Sequence, residues 1–189
     1  AIYQCFFYLA LMIASPFFTV YMLEELDFSY VTFMIVSISS SVFYLLFFPL
    51  IGKFSDRFGN VKLLYISNIA FALTPILWIF FKSPISLILI PQLISGIGNA
   101  TLVIAFTNFT YDSVSQQRRG ICLAYTSILI GIGTFIGSII GGIILKYSSI
   151  SFFSSFMLVF LISGGLRLLT GIIFLPYIKE EKKVERLPP

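Results

Sequence analysis

Gln92, Ser95 and Asn99 stand three and four residues apart inside a stretch, 85–110, that carries no charged side chain. That spacing puts them on one face of a helix, and Phe106 continues the face. Asn108 lies not far off it. Amides and hydroxyls in such a row exchange hydrogen bonds; they do not break covalent ones. The row either lines a watery pathway for a solute or ties one helix to the next, and both readings stay open. Gln4, Ser15, Asn68 and Thr126 are weaker candidates of the same sort. Arg167 is the one charge deep in an apolar stretch. It is either an anion or substrate site, or a cation whose long stem reaches the surface or which pairs within the fold. The sequence has no His, and its apolar stretches hold no Asp or Glu. The groups needed for metal or aspartyl catalysis are therefore missing, and a Ser or Cys nucleophile would lack a base. No catalytic residue, metal site or cofactor is expected.

The elements that must position these residues follow from composition. The chain is 58% apolar and 11% charged, where soluble domains carry roughly a quarter charged residues. Six stretches, about 2–23, 30–51, 63–81, 85–110, 121–145 and 152–177, match the roughly 20 residues a helix needs to cross a bilayer. Short connections join them, so the expectation is an all-α membrane domain over residues 1–178 with a charged tail, 179–189, of no fixed structure. Tyr3, Tyr21, Tyr30, Tyr111, Tyr147 and Tyr177 sit near span ends, where an interfacial aromatic belt belongs. Cys5 and Cys122 also lie near span ends and read as buried and unreactive. The first residues are already apolar without a basic leader, which reads as a piece of a longer chain rather than a signal peptide.

Orientation comes from the cations. The turns after the second and fourth spans and the tail hold Lys53, Arg57, Lys62, Arg118, Arg119, Lys179, Lys182, Lys183 and Arg186. The opposite side holds only Lys82 and Lys146, with Glu24, Glu25 and Asp27 in the first loop. The positive-inside rule puts the first set, and both ends of this segment, in the cytoplasm. The basic balance is thus a topology signal, and no nucleic-acid partner is expected.

Two small-residue runs stand out. Ser37, Ser39, Ser40 and Ser41 lie on the second span, and Gly131, Gly133, Gly137, Gly141 and Gly142 on the fifth. Small residues four apart let another backbone come close. If spans one to three repeat as four to six, these two spans are equivalent helices in a three-plus-three inverted repeat.

The charged turn at 52–62 carries a resemblance. Gly52, Asp56, Arg57 and Gly59 fill four places of the pattern Gly-x-x-x-Asp-Arg/Lys-x-Gly-Arg/Lys-Arg/Lys. Asn60 and Val61 replace its last two cations, and Lys62 follows. The chain thereby resembles the major facilitator superfamily of transporters; otherwise the turn is a solvated one that only fixes topology. Gly133, Gly137, Ser138, Gly141 and Gly142 resemble a pattern of that family's drug–proton antiporters, with Ser138 where Pro is expected, so antiport is not carried over. Gln92 stands where many amino-terminal halves have Arg before the residue matching Gly96, and the run from Pro16 to Leu23 looks like the opening of a carboxy-terminal half.

The resemblance implies half of a twelve-helix transporter working by alternating access, with a small-molecule substrate between two six-helix halves. It implies that Gln92, Ser95, Asn99 and Asn108 line the pathway. Ser37, Ser41, Gly133, Gly137, Gly141 and Gly142 would make the close contact between halves. Asp56 and Arg57 would latch the cytoplasmic face, with Arg118 and Arg119 as candidate partners. The expected partners are the lipid bilayer, the other half and the solute; the expected location is the plasma membrane. Without a carboxylate in the spans, coupling residues lie outside this chain or transport is uncoupled. The alternative is a non-transporting six-span scaffold or subunit.

Overall fold

Helix starts and stops are written in local chemistry. The Ser29 hydroxyl accepts from the Thr32 N–H at 3.2 Å and Ser154 from the Phe156 N–H at 3.3 Å, each satisfying a donor the first turn leaves over. Pro84 opens another helix, where its missing N–H costs nothing. The computed structural model describes residues 1–148 and 154–180. Among these it has six helices long and apolar enough to cross a membrane: α1 (Ile2–Glu25), α2 (Tyr30–Phe58), α3 (Asn60–Phe80), α4 (Pro84–Ser113), α5 (Gln116–Tyr147) and α6 (Ser155–Tyr177). Of the tail expected over 179–189, residues 181–189 lie outside the described residues.

The spans run longer than the apolar stretches because helices continue past the hydrocarbon wherever their charged faces stay wet. The signature is where this matters. Gly52, Asp56 and Arg57 belong to the last turns of α2, so the turn expected over 52–62 shrinks to one residue. Gly59 makes it with φ 93°, a conformation a side chain would oppose.

α1 and α4 are not regular. Tyr21–Glu25 and Ile88–Gln92 form wider π-type turns, and Pro91 sits inside the second. Both wide turns lie toward the end of the bundle opposite the signature.

The helices pack in the order α5, α1, α6, α3, α4, α2. Two apolar clusters fill the interior. Ile13, Tyr21, Met22, Val36, Trp78, Leu87 and Phe160 pack at the far end, and Tyr3, Phe7, Leu63, Leu64, Phe71, Leu102 and Leu175 at the signature end. Aromatic rings knit both, with Phe18 stacked on Phe160 at 4.6 Å and Tyr3 edge-on to Phe106 at 6.0 Å. Of the six tyrosines expected at the interface, Tyr30, Tyr111, Tyr147 and Tyr177 are exposed, while Tyr3 and Tyr21 are core residues.

Glycine decides which helices touch. A Cβ on Gly133, Gly137 or Gly141 would strike the carbonyl oxygen of Cys5, Leu9 or Ile13 respectively, so this stripe seats α5 directly on the α1 backbone. Such contact carries membrane helix association, because lipid tails remove the hydrophobic drive between helices. The expectation that these three glycines face a second half is corrected: α1 occupies them. Gly131 has open space around it and Gly142 meets only the Phe17 ring edge at 3.9 Å. Gly96 plays the same part between α4 and α2, where a Cβ would lie 2.7 Å from the Ser40 oxygen.

Gly137→Val is expected to cost roughly 1–3 kcal/mol or more by forcing α5 off α1. The check is the thermal unfolding midpoint in detergent, with Gly131→Ala as a control that leaves it unchanged. Equal midpoints for both variants would refute the contact.

Candidate functional site

The centre of the bundle is polar. Between the two apolar clusters lies a cavity of about 290 Å³, walled by α1, α2, α3, α4 and α6. Gln92, Ser95 and Asn99 line it from α4, as the face read from their spacing requires. Ser37 and Ser40 line it from α2, Ser15 and Thr19 from α1, and Thr74 from α3. Phe18, Phe71 and Trp78 supply flat apolar wall. A second recess of about 320 Å³ shares Ser40 and Asn99 and adds Ser41, Tyr44 and Val103. The polar space thus continues from the interior to the exposed flank of α2 and α4.

Of the two amides, Gln92 holds one helix to another. Gln92 donates through Nε2 to the Val36 carbonyl at 2.7 Å, tying the wide turn of α4 to α2. Asn99 donates to the Ser95 carbonyl at 3.0 Å, within its own helix. The Ser40 hydroxyl reaches the Ser95 hydroxyl at 3.5 Å. Gln92 thus ties α4 to α2, Asn99 bonds within α4, and both border the cavity.

Arg167 closes the cavity on the α6 side and is 1% exposed, so its stem does not reach the surface. Its guanidinium nitrogens donate to the Phe71 carbonyl at 2.6 Å and the Leu11 carbonyl at 3.0 Å, on α3 and α1. Nε is buried without a hydrogen-bond partner among the described residues. Two neighbours hold this geometry. Asn68 donates to the Arg167 carbonyl at 3.0 Å, and a Cβ on Gly171 would collide with the Asn68 amide. Ser163 donates to the Ala10 carbonyl at 2.6 Å, a further tie between α6 and α1.

Asn108 does not join the cavity. It donates to the Ser55 hydroxyl at 3.1 Å; Ser55 donates to Asn60 Oδ1 at 2.7 Å, and Asn60 Nδ2 donates to Asp112 at 3.0 Å. This chain of polar groups, buried at Ser55 and Asn60 and exposed at Asp112, joins α2, α3 and α4 at the signature end. Asn60, where the family pattern has a cation, is 1% exposed, and a charge there would be buried. Beside it the Glu180 carboxylate accepts from the Val61 N–H at 2.8 Å, capping the positive end of α3. Asp56 and Arg57 are exposed on the outer side of α2. Arg119 donates to the Val114 and Tyr111 carbonyls at 3.3 and 3.0 Å, and its guanidinium stacks 4.9 Å from the Tyr111 ring centre. Its side chain thus fastens the α4–α5 junction. Gln4, Thr126 and Cys122 border a smaller cavity of about 120 Å³ nearby, and both cysteines are half-buried rather than buried.

A family model, the Major Facilitator Superfamily, matches residues 1–189. The chain belongs to that superfamily. Similar curated proteins include the vacuolar basic amino acid transporter 2 of Saccharomyces cerevisiae, 30% identical over 140 residues, covering 74% of this chain and 28% of the relative. The class B tetracycline resistance protein of Escherichia coli is 30% identical over 137 residues, covering 72% of this chain and 32% of the relative. Multidrug resistance protein 1 of Bacillus subtilis is 26% identical over 135 residues, covering 71% and 33%. The matched part spans a third or less of each of these relatives. No solved structure matches the chain significantly. This superfamily member is an integral, multi-pass membrane protein.

Sequence reasoning missed Thr19, Ser40, Thr74 and Trp78 as cavity residues, and Asp112, Asn60 and Glu180 as the signature-end network. Thr19, Thr74 and Trp78 sit on helices that show no polar row of their own, and the serine run that holds Ser40 reads as a close-contact stripe. For Asn60 the available signal was its departure from the cationic family pattern. Replacing Asn60 by Ala strips two partners from a partly buried network and is expected to cost about 1–2 kcal/mol. The thermal midpoint of the full-length protein in detergent measures it, and a midpoint equal to wild type would show the network to be idle.

Proposed function

We propose that this chain is one six-helix half of a secondary transporter that moves a small organic solute by alternating access. The observation that carries the reading is the polar cavity inside a bundle built to sit in hydrocarbon. Side chains that are costly in lipid converge there from five helices, as a route for a solute requires. The names of the relatives, which concern basic amino acids, tetracycline and multiple drugs, agree with an organic solute.

The other half completes the pathway in this reading. α2 and α5 are the helices at the open ends of the packing order, and their long exposed apolar faces support a partner bundle and lipid as their neighbours. Ser37, Ser41 and Gly142 remain available for the contact between halves. Gln92, Ser95 and Asn99 touch the solute near the midplane, and Asn108 belongs to the signature-end network instead. The domain takes in residues 1–178, and the segment from 179 runs in the cytoplasm. The membrane in this reading is the plasma membrane, and the cation count supports the signature end lying on its cytoplasmic side. The chain is not an enzyme: the absence of His from the sequence supports this.

Asp56 and Arg57 latch the cytoplasmic face in one of two states, and weakening the latch shifts the populations. Asp56→Asn is expected to slow uptake by the full-length transporter in proteoliposomes several-fold, with normal insertion and melting temperature. Uptake at the wild-type rate would remove the latch from the mechanism. Sidedness has its own check. A cysteine placed at Lys62 should escape an impermeant maleimide added outside intact cells and react once the membrane is opened. Labelling from outside would invert the topology.

A further inference from the structure

The cavity around Arg167 has a chemistry more specific than a polar passage. Arg167 is fully enclosed, yet its two hydrogen-bond partners are neutral backbone carbonyls, and its Nε has none among the described residues. The cavity lining contains no Asp or Glu to balance the charge. A guanidinium in such surroundings favours an oxyanion, because its planar donors match a carboxylate and little water competes. Across the cavity the amides of Gln92 and Asn99 each give one N–H to the Val36 and Ser95 carbonyls. Each keeps its carbonyl oxygen and a second N–H, so a hydroxyl or amine on the ligand can be met there by an acceptor. Phe71 and Trp78, two turns apart on α3, give one wall of the cavity its aromatic surface. A volume of about 290 Å³ is at the low end of ligand pockets.

We propose that this cavity binds a small aromatic carboxylate carrying a hydroxyl or amine at its far end. Arg167 takes the carboxylate, the aromatic wall lies along the body, and Gln92 and Asn99 accept from the distal donor. The assignment rests on the transport reading above and narrows its substrate class.

The test is equilibrium binding to the purified full-length transporter in detergent, using labelled 4-hydroxybenzoate and its neutral counterpart 4-hydroxybenzamide. The expected result is saturable binding of the benzoate, with the benzamide about tenfold or more weaker. Arg167→Gln should bring both to the same weak level. Since that change also loosens α6 from α1 and α3, Ser95→Leu provides a second arm. It fills the cavity, leaves Arg167 in place, and should abolish binding of both probes. Equal affinity of the wild type for the two probes would overturn the proposal. So would wild-type binding by Ser95→Leu, or displacement of the benzoate by chloride at matched concentration. Binding needs no gradient, so it can succeed where transport fails. Conversely, uptake of some other solute without a carboxylate preference removes this proposal alone.

Discussion

Inside hydrocarbon a polar group has no water to fall back on, so each one must be satisfied by the protein. The bundle is organised around that demand. Arg167 meets it with its two terminal nitrogens, which reach carbonyls on different helices while Nε has no partner among the described residues; Gln92 meets it by crossing from α4 to α2, and Asn68 by holding the Arg167 backbone. Each such bond is worth only about 0.6–2 kcal/mol in a membrane. Their effect on arrangement is larger than on stability, because each fixes the rotation of one helix against another. The same bonds leave the remaining polar faces pointing at a shared interior, and the cavity is the result.

Close approach comes from a different source. Small residues at Gly133, Gly137 and Gly141 let the α5 backbone rest on α1, and Gly96 does the same for α4 on α2. These contacts set the two outer pairs of the packing order. α6 and α3 join the pairs through Arg167, Ser163 and Asn68, beside close approaches of their own at Gly164 and Gly171. The arc leaves long apolar flanks of α2 and α5 uncovered within this chain, which spans a third or less of the superfamily members it matches.

Some of the site was legible because period and burial coincide on one helix. Gln92, Ser95 and Asn99 recur at helical spacing in an otherwise apolar segment, and all three border the cavity. Asn108 broke the pattern because it lies about two and a half turns beyond Asn99, which carries it to another face and to the next layer, where it meets Ser55. The glycine stripe announced a close contact but not its partner: spacing says that a backbone may approach, and only packing says whose. Tyr3 and Tyr21 misled for a related reason. Closeness to a span end does not say whether a side chain points toward lipid or toward neighbouring helices.

The sequence by itself determined the class of the molecule, its six spans, and a helix face that carries hydrogen-bonding groups. These are properties of single segments against a solvent, and hydropathy and period are enough to express them. Only the tertiary structure decided that Arg167 ends up enclosed beside that face, that α1 takes the glycines of α5, and that Asn60 anchors a partly buried network at the signature end. Those outcomes depend on residues as much as 156 positions apart. The rotation of each helix about its axis decides whether they meet, and no single segment contains that information.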